Sequence, residues 1–170
     1  MATDKANIVW QGETLAVRAA RVLASVCDPV IEVGSGASSL RVVREDPPGS
    51  GPLAALVAGT LALGTRGPVV LFACDLPFVG PPIIELLADW QGRPTVIPLV
   101  DGRLQYVCAR YGPDALERAE AALWAGDRSL QAAVGEDFDE VSETEWQAVG
   151  AQNPFADVDT PADLWRLGLS

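Results

Sequence analysis

Histidine is absent from the 170 residues, and that absence removes two large classes of chemistry. Histidine-based zinc sites and nucleophile–histidine–carboxylate triads are excluded. Positive charge is scarce too: 12 lysines and arginines face 23 aspartates and glutamates, a net charge of -11 at pH 7. A surface of that sign excludes a nucleic-acid partner, because phosphate backbones are bound by basic patches. A nucleotide remains bindable where magnesium, a lysine or helix N-termini gather positive charge locally. Cysteine is sparse. Cys27, Cys74 and Cys108 are odd in number, widely spaced and set in apolar runs, so they read as buried free thiols in a reducing compartment. No apolar run approaches the roughly 20 residues that span a bilayer. The first seven residues are polar, unlike a secretory leader. Together these absences predict a cytoplasmic protein with no membrane partner.

What is present is an ordinary globular balance, 49% hydrophobic and 21% charged, in a length that suits one domain over 1–170. Apolar spacing predicts helices over 14–25, 52–63, 81–90, 113–125 and 130–134, with a last one from Thr160. Short β-rich runs predict strands over 29–33, 40–43, 69–74, 95–98, 103–111 and 138–141. Strands alternating with helices imply an α/β fold, a three-layer Rossmann-like domain on a mainly parallel sheet.

The run Val69-Val-Leu-Phe-Ala-Cys ends abruptly in Asp75-Leu-Pro77. It has the two-faced apolarity of a strand buried in a parallel sheet, and ligands bind beyond the carboxyl ends of such strands. A hard carboxylate there suits Mg²⁺, which is commonly held by one or two carboxylates plus substrate phosphates. The competing reading is a cap for the next helix. The loop Pro47-Pro-Gly-Ser-Gly51-Pro52 precedes a helix, so its glycines permit close approach to a ligand and the helix offers free N–H groups. Asp46, just before it, has the chemistry to accept from a base amine; a plain tight turn is the alternative. Lys5 is a point charge for phosphate or a frayed surface lysine. Within Asp157-Val-Asp159-Thr160-Pro161, Thr160 or Asp159 caps the last helix, and one of the two alternating carboxylates can join Asp75 on a metal.

In order along the chain stand Met1-Ala-Thr-Asp4-Lys5, Asp46 before Gly51-Pro52-Leu53-Ala54, Cys74-Asp75-Leu76-Pro77, Gly126-Asp-Arg128-Ser129-Leu130 and Phe155-Ala-Asp157-Val-Asp159-Thr160-Pro161. This series resembles the molybdenum cofactor guanylyltransferase family, within the sugar-nucleotide type of nucleotidyltransferases. The resemblance implies transfer of GMP from GTP to the terminal phosphate of molybdopterin with release of pyrophosphate. It implies Mg²⁺ on Asp75 and Asp159, Lys5 on the nucleotide phosphates, and Asp46, Gly51, Pro52, Leu53 and Arg128 as nucleotide-binding residues. Lys5 and Asp75 would carry the catalytic charge. It further implies small-molecule substrates and transient contact with other cofactor-biosynthesis proteins or apo-molybdoenzymes. Alternatives are a related transferase using CTP or another phosphorylated acceptor, and a non-catalytic nucleotide- or partner-binding module.

The departures are specific. The family's leucine-x-glycine-glycine-x-serine loop and the strand before it would lie ahead of Met1, and Ala2 stands where the family has glycine. The chain is therefore expected to be N-terminally truncated relative to the family. Strands flanking the missing one would lose a hydrogen-bond ladder and a wall of core. Asp157 and Asp159 replace asparagines, and Tyr106 replaces a proline.

Overall fold

The computed structural model describes residues 5–149, 153–160, 162 and 163. After a 3-10 turn at Lys5–Asn7, β1 (Val9–Trp10) and β2 (Glu13–Thr14) form a small antiparallel hairpin that leads into α1 (Leu15–Ala24). Thr14 is the N-cap of α1 and its side chain accepts from the Val17 N–H. Next come β3 (Ile31–Val33), β4 (Arg41–Val43), α2 (Pro52–Leu63), β5 (Val69–Phe72) and α3 (Pro81–Ala88). They are followed by β6 (Val96–Val100), β7 (Arg103–Leu104), β8 (Cys108–Tyr111) and α4 (Pro113–Trp124). A 3-10 turn at Leu130–Ala133, β9 (Asp139–Val141) and α5 (Glu143–Ala148) complete the series. The helix expected from Thr160 falls, beyond its start, outside the described residues.

Three helices open in the same way. Gly51-Pro52, Gly80-Pro81 and Gly112-Pro113 place glycine at the N-cap and proline at the first helical position of α2, α3 and α4. Proline's fixed φ suits that position, and its missing N–H is one that has no partner within the helix. α5 begins instead with a reciprocal cap between Ser142 and Glu145.

The main sheet runs β5-β8-β6-β7, with β9 also on β6. Its faces separate two cores, which gives the three-layer α/β arrangement. Val96 and Cys108 face Ile83, Ile84 and Leu87 of α3. Ile97, Ala109 and Tyr111 face Leu53 and Leu56 of α2 and Ala115 and Ala119 of α4. Each large aliphatic side chain so buried contributes about 1.5–3 kcal/mol relative to exposure. Arg110, on the α3 side, is buried and makes no ion pair within 4 Å among the described residues. Its guanidinium donates to the carbonyls of Ala88, Trp90, Arg93 and Pro94, gathering the end of α3 and the loop before β6.

The expectation of a mainly parallel sheet needs correction. β8 lies antiparallel to both β5 and β6, and β7 antiparallel to β6; the parallel pairs are β6 with β9 and, in a separate two-stranded sheet, β3 with β4. The cause is the Asp101-Gly102 turn, where φ is 48° and 72°, the positive-φ pair that reverses a chain into a hairpin. The single strand expected over 103–111 accordingly breaks into β7 and β8. The helix expected over 130–134 is the 3-10 turn.

β5 also departs from expectation. Instead of being enclosed in a parallel sheet, it has β8 on one side and a cleft of about 980 Å³ on the other. β3 borders the same cleft, and α1 (Ala19, Ala20, Leu23) and α2 (Leu56, Gly59) contribute its apolar walls. Among the described residues no strand joins β3 to β5. No helix among the described residues is long and apolar enough to cross a membrane.

Candidate functional site

β5 delivers Asp75 to one end of that cleft. The Ala73 N–H still donates to Val107 O at 2.8 Å, after which the chain leaves the ladder, and Leu76 and Val79 anchor the turn in the core. The Asp75 carbonyl accepts from the Val158 N–H at 2.8 Å, which ties the segment 153–160 to the strand exit. Beneath this junction Ile8, Trp10, Leu15 and Val158 pack with Cys74 and Phe78. Trp10 meets Phe78 edge to face at 5.2 Å, and the Arg18 guanidinium stacks over Trp10 at 4.5 Å while donating to Pro77 O at 2.6 Å. Three distant stretches of sequence are thereby locked around one point.

Lys5 stands at that point. Its Nζ donates to Asp75 Oδ2 at 3.1 Å and forms an ion pair with Asp159 Oδ1. The hydrogen bond to Asp159 raises its pKa above the ordinary lysine value; partial desolvation opposes the rise and Asp75 adds to it. The second carboxylate oxygen of Asp75, Oδ1, is buried with no hydrogen-bond partner among the described residues. A buried carboxylate oxygen left unpaired is costly unless a ligand completes it. Two hard oxygen donors, one of them unsatisfied, fit Mg²⁺, which takes its remaining oxygens from water and phosphate. Among the described residues no group of three or more potential metal ligands exists.

A second group forms around the N-terminus of α2. Gly51 has φ 94° and ψ 177°, a conformation that L side chains rarely adopt. The Arg128 side chain donates to Ser50 O at 3.3 Å, and a Cβ on Gly51 would lie 3.8 Å from Arg128 O. Asp127 Oδ1 holds the N–H groups of Arg128 and Ser129, fixing that loop. Pro52 lines the cleft together with Lys5 and Asp75, whereas Asp46, Gly51 and Arg128 stand outside its lining. Leu53 is fully buried in the core and does not line the cleft. Asp46 is exposed.

The sequence reading passed over the loop after β3. Gly34, Ser35 and Ser38 line the same cleft as Lys5 and Asp75. Glu32 organises the loop by accepting from the Gly36, Ala37 and Ser38 N–H groups and from Ser38 Oγ. Burial opposes the Glu32 charge, but these hydrogen bonds win and hold its pKa below the usual value. The run of small residues Gly34-Ser-Gly-Ala-Ser-Ser after a strand was the available signal. At the other end of the site, Asp163 Oδ2 accepts from the Asp159 and Thr160 N–H groups and from Thr160 Oγ1. That leaves the Asp159 carboxylate to Lys5.

The model of the MobA-like NTP transferase domain matches residues 1–141. The chain belongs to this family. Within the MobA-like match lie Lys5, Asp46, Gly51, Pro52, Leu53, Asp75 and Arg128, while Asp159 follows it. Curated relatives include a probable molybdenum cofactor guanylyltransferase of Mycobacterium avium, 29% identical over 98% of this chain and 88% of that protein. Another of the same description, from Chloroflexus aggregans, is 33% identical over 78% of this chain and 69% of its own length. Among solved structures, molybdopterin-guanine dinucleotide biosynthesis protein A from Archaeoglobus fulgidus is similar with a TM-score of 0.71 at 21% identity, covering 96% of this chain and 88% of that one. A nucleotidyl transferase from Methanothermobacter thermautotroptrophicus gives 0.68 at 21% identity, with coverage of 96% and 82%. At those identities the likeness shows the MobA-like fold.

Proposed function

We propose that the chain transfers GMP from GTP to the terminal phosphate of molybdopterin and releases pyrophosphate. The observation that carries this reading is the trio at the exit of β5: Lys5 between Asp75 and Asp159, with Asp75 Oδ1 buried and, among the described residues, unsatisfied. Curated relatives described as probable molybdenum cofactor guanylyltransferases support the choice of nucleotide and acceptor. Mg²⁺ held by Asp75 and Asp159 would supply charge neutralisation at the phosphates. The protein's own part is positioning and electrostatics, which is most of what such transfers require. Lys5 would bind the triphosphate as a point charge, and the first turn of α2 with Arg128 would lie toward base and ribose. The acceptor is already a phosphate anion, so no general base is needed, consistent with a chain that has no histidine.

Transient contact with the enzymes that make the cofactor or receive it belongs to the same proposal. A second reading is transfer to another phosphorylated acceptor, since Asp157 and Asp159 stand where the family it resembles has asparagines. The test is a product assay with Mg²⁺ and molybdopterin, run in parallel with GTP and CTP. Pyrophosphate and a guanylylated pterin from GTP alone are expected. Turnover with CTP alone would move the assignment to a cytidylyltransferase, and turnover only with a different acceptor would favour the second reading.

A further inference from the structure

We infer that Lys5 is a built-in counter-ion that holds the divalent-cation position between Asp75 and Asp159 and yields it when a triphosphate draws the lysine away. This deepens the nucleotidyltransferase reading and rests on it for the identity of the displacing ligand. The ammonium takes one oxygen from each carboxylate, Asp75 Oδ2 at 3.1 Å and Asp159 Oδ1 in an ion pair. A divalent cation held there would draw on the same two carboxylates. Ammonium and metal therefore compete for that position.

The occupancy by lysine is incomplete. Among the described residues, Asp75 Oδ1 remains buried and unpartnered beside the ammonium. An ammonium is a compact point charge with three donors, and the two contacts it makes leave that oxygen unsatisfied. A cation that accepts several oxygens would satisfy it. Lys5 is also free to move: its side chain is 42% exposed on a flexible four-carbon stem, and its residue sits in a short 3-10 turn fixed by the Ile8 N–H to Lys5 O bond. The backbone stays while the ammonium swings. The arrangement keeps two neighbouring carboxylates neutralised in the resting protein, suppresses metal binding there, and couples metal entry to nucleotide arrival.

Mn²⁺ is the probe, read by the loss of its free electron-paramagnetic signal on titration into the full chain without nucleotide. Lys5→Met keeps most of the side chain's apolar bulk and removes the charge. It is expected to bind Mn²⁺ at least about tenfold more tightly than the parent protein, since one competing cation is gone. Adding Asp75→Asn to that variant should abolish the gain, which assigns the extra affinity to this site. An affinity for Mn²⁺ in Lys5→Met that is equal to or weaker than the parent's, including no measurable binding by either, overturns the inference. So does a gain that survives Asp75→Asn. Calorimetric titration of GTP into the parent protein is read separately. A tenfold Mn²⁺ gain without any GTP binding would leave the lysine–metal competition standing and remove the nucleotidyltransferase reading beneath it.

Discussion

Asp75 has two separable duties, and they belong to different atoms. Its carbonyl receives the Val158 N–H and so joins the chain's end to the exit of β5, while its carboxylate faces Lys5. Asp75→Asn keeps the first and weakens the second. Turnover in the guanylyl-transfer assay is expected to fall by about 10²–10³-fold, the range for losing one transition-state charge contact, with the thermal midpoint unchanged. Undiminished turnover would remove the carboxylate from the chemistry. At this scale the sequence was informative about residue type and blind to distance. A lone carboxylate after an apolar run identified Asp75, but nothing in spacing says that Lys5 reaches both Asp75 and Asp159, which are 70 and 154 positions away. Asp46, read as an acceptor for a base amine, and Arg128, implied by the resemblance, both stand outside the cleft that Lys5, Pro52 and Asp75 share.

Helix starts were legible because proline and glycine act through local sterics that need no tertiary context. The sheet was not, because the direction of a strand depends on the turn before it. Asp101-Gly102 carries the hairpin signal, between the strands expected over 95–98 and 103–111, but alternating strands and helices pointed to parallel pairing. The three Gly-Pro starts also differ in a way invisible to sequence. A Cβ on Gly112 would lie 2.4 Å from Pro94 Cβ and 2.9 Å from the Pro94 carbonyl carbon, whereas on Gly80 the nearest atom is Pro82 Cδ at 3.6 Å. Neither glycine has positive φ, so crowding and not backbone strain decides. Gly112→Ala is expected to cost about 1–3 kcal/mol, the usual penalty of overpacking. Gly80→Ala should stay within about 0.5 kcal/mol, as substitutions away from such clashes do. Urea unfolding of both variants checks this, and equal losses would refute the crowding argument.

For the molecule as a whole, the groups with raised pKa values act in one direction on stability at alkaline pH. Burial pushes the Cys108 thiol up to about 12 from an ordinary 9.0, and burial raises Tyr111 as well, its hydroxyl donating to Tyr106 O. Between those values the folded protein keeps a proton that the unfolded chain releases, so stability is retained below about pH 9 and falls as pH climbs above it. Lys5, also raised, has the same sign at higher pH. From pH 8 to 10.5 Cys108 alone should cost about 2 kcal/mol, at roughly 1.4 kcal/mol per unit. The urea midpoint of Cys108→Ala is expected to drop less than the parent's over that interval. Equal drops would show that the thiol ionises elsewhere or not at all.

The cleft between β3 and β5 has a consequence for handling the protein in solution. Strand edges beside apolar walls are adhesive toward other strands, including those of a second molecule. What stands against that adhesion is the net charge of -11, which makes molecules repel one another. Salt shortens the reach of that repulsion to about 10 Å at 0.1 M. A concentrated stock should therefore remain clear in dilute buffer and turn cloudy in brine, so that ionic strength more than cold storage governs its shelf life.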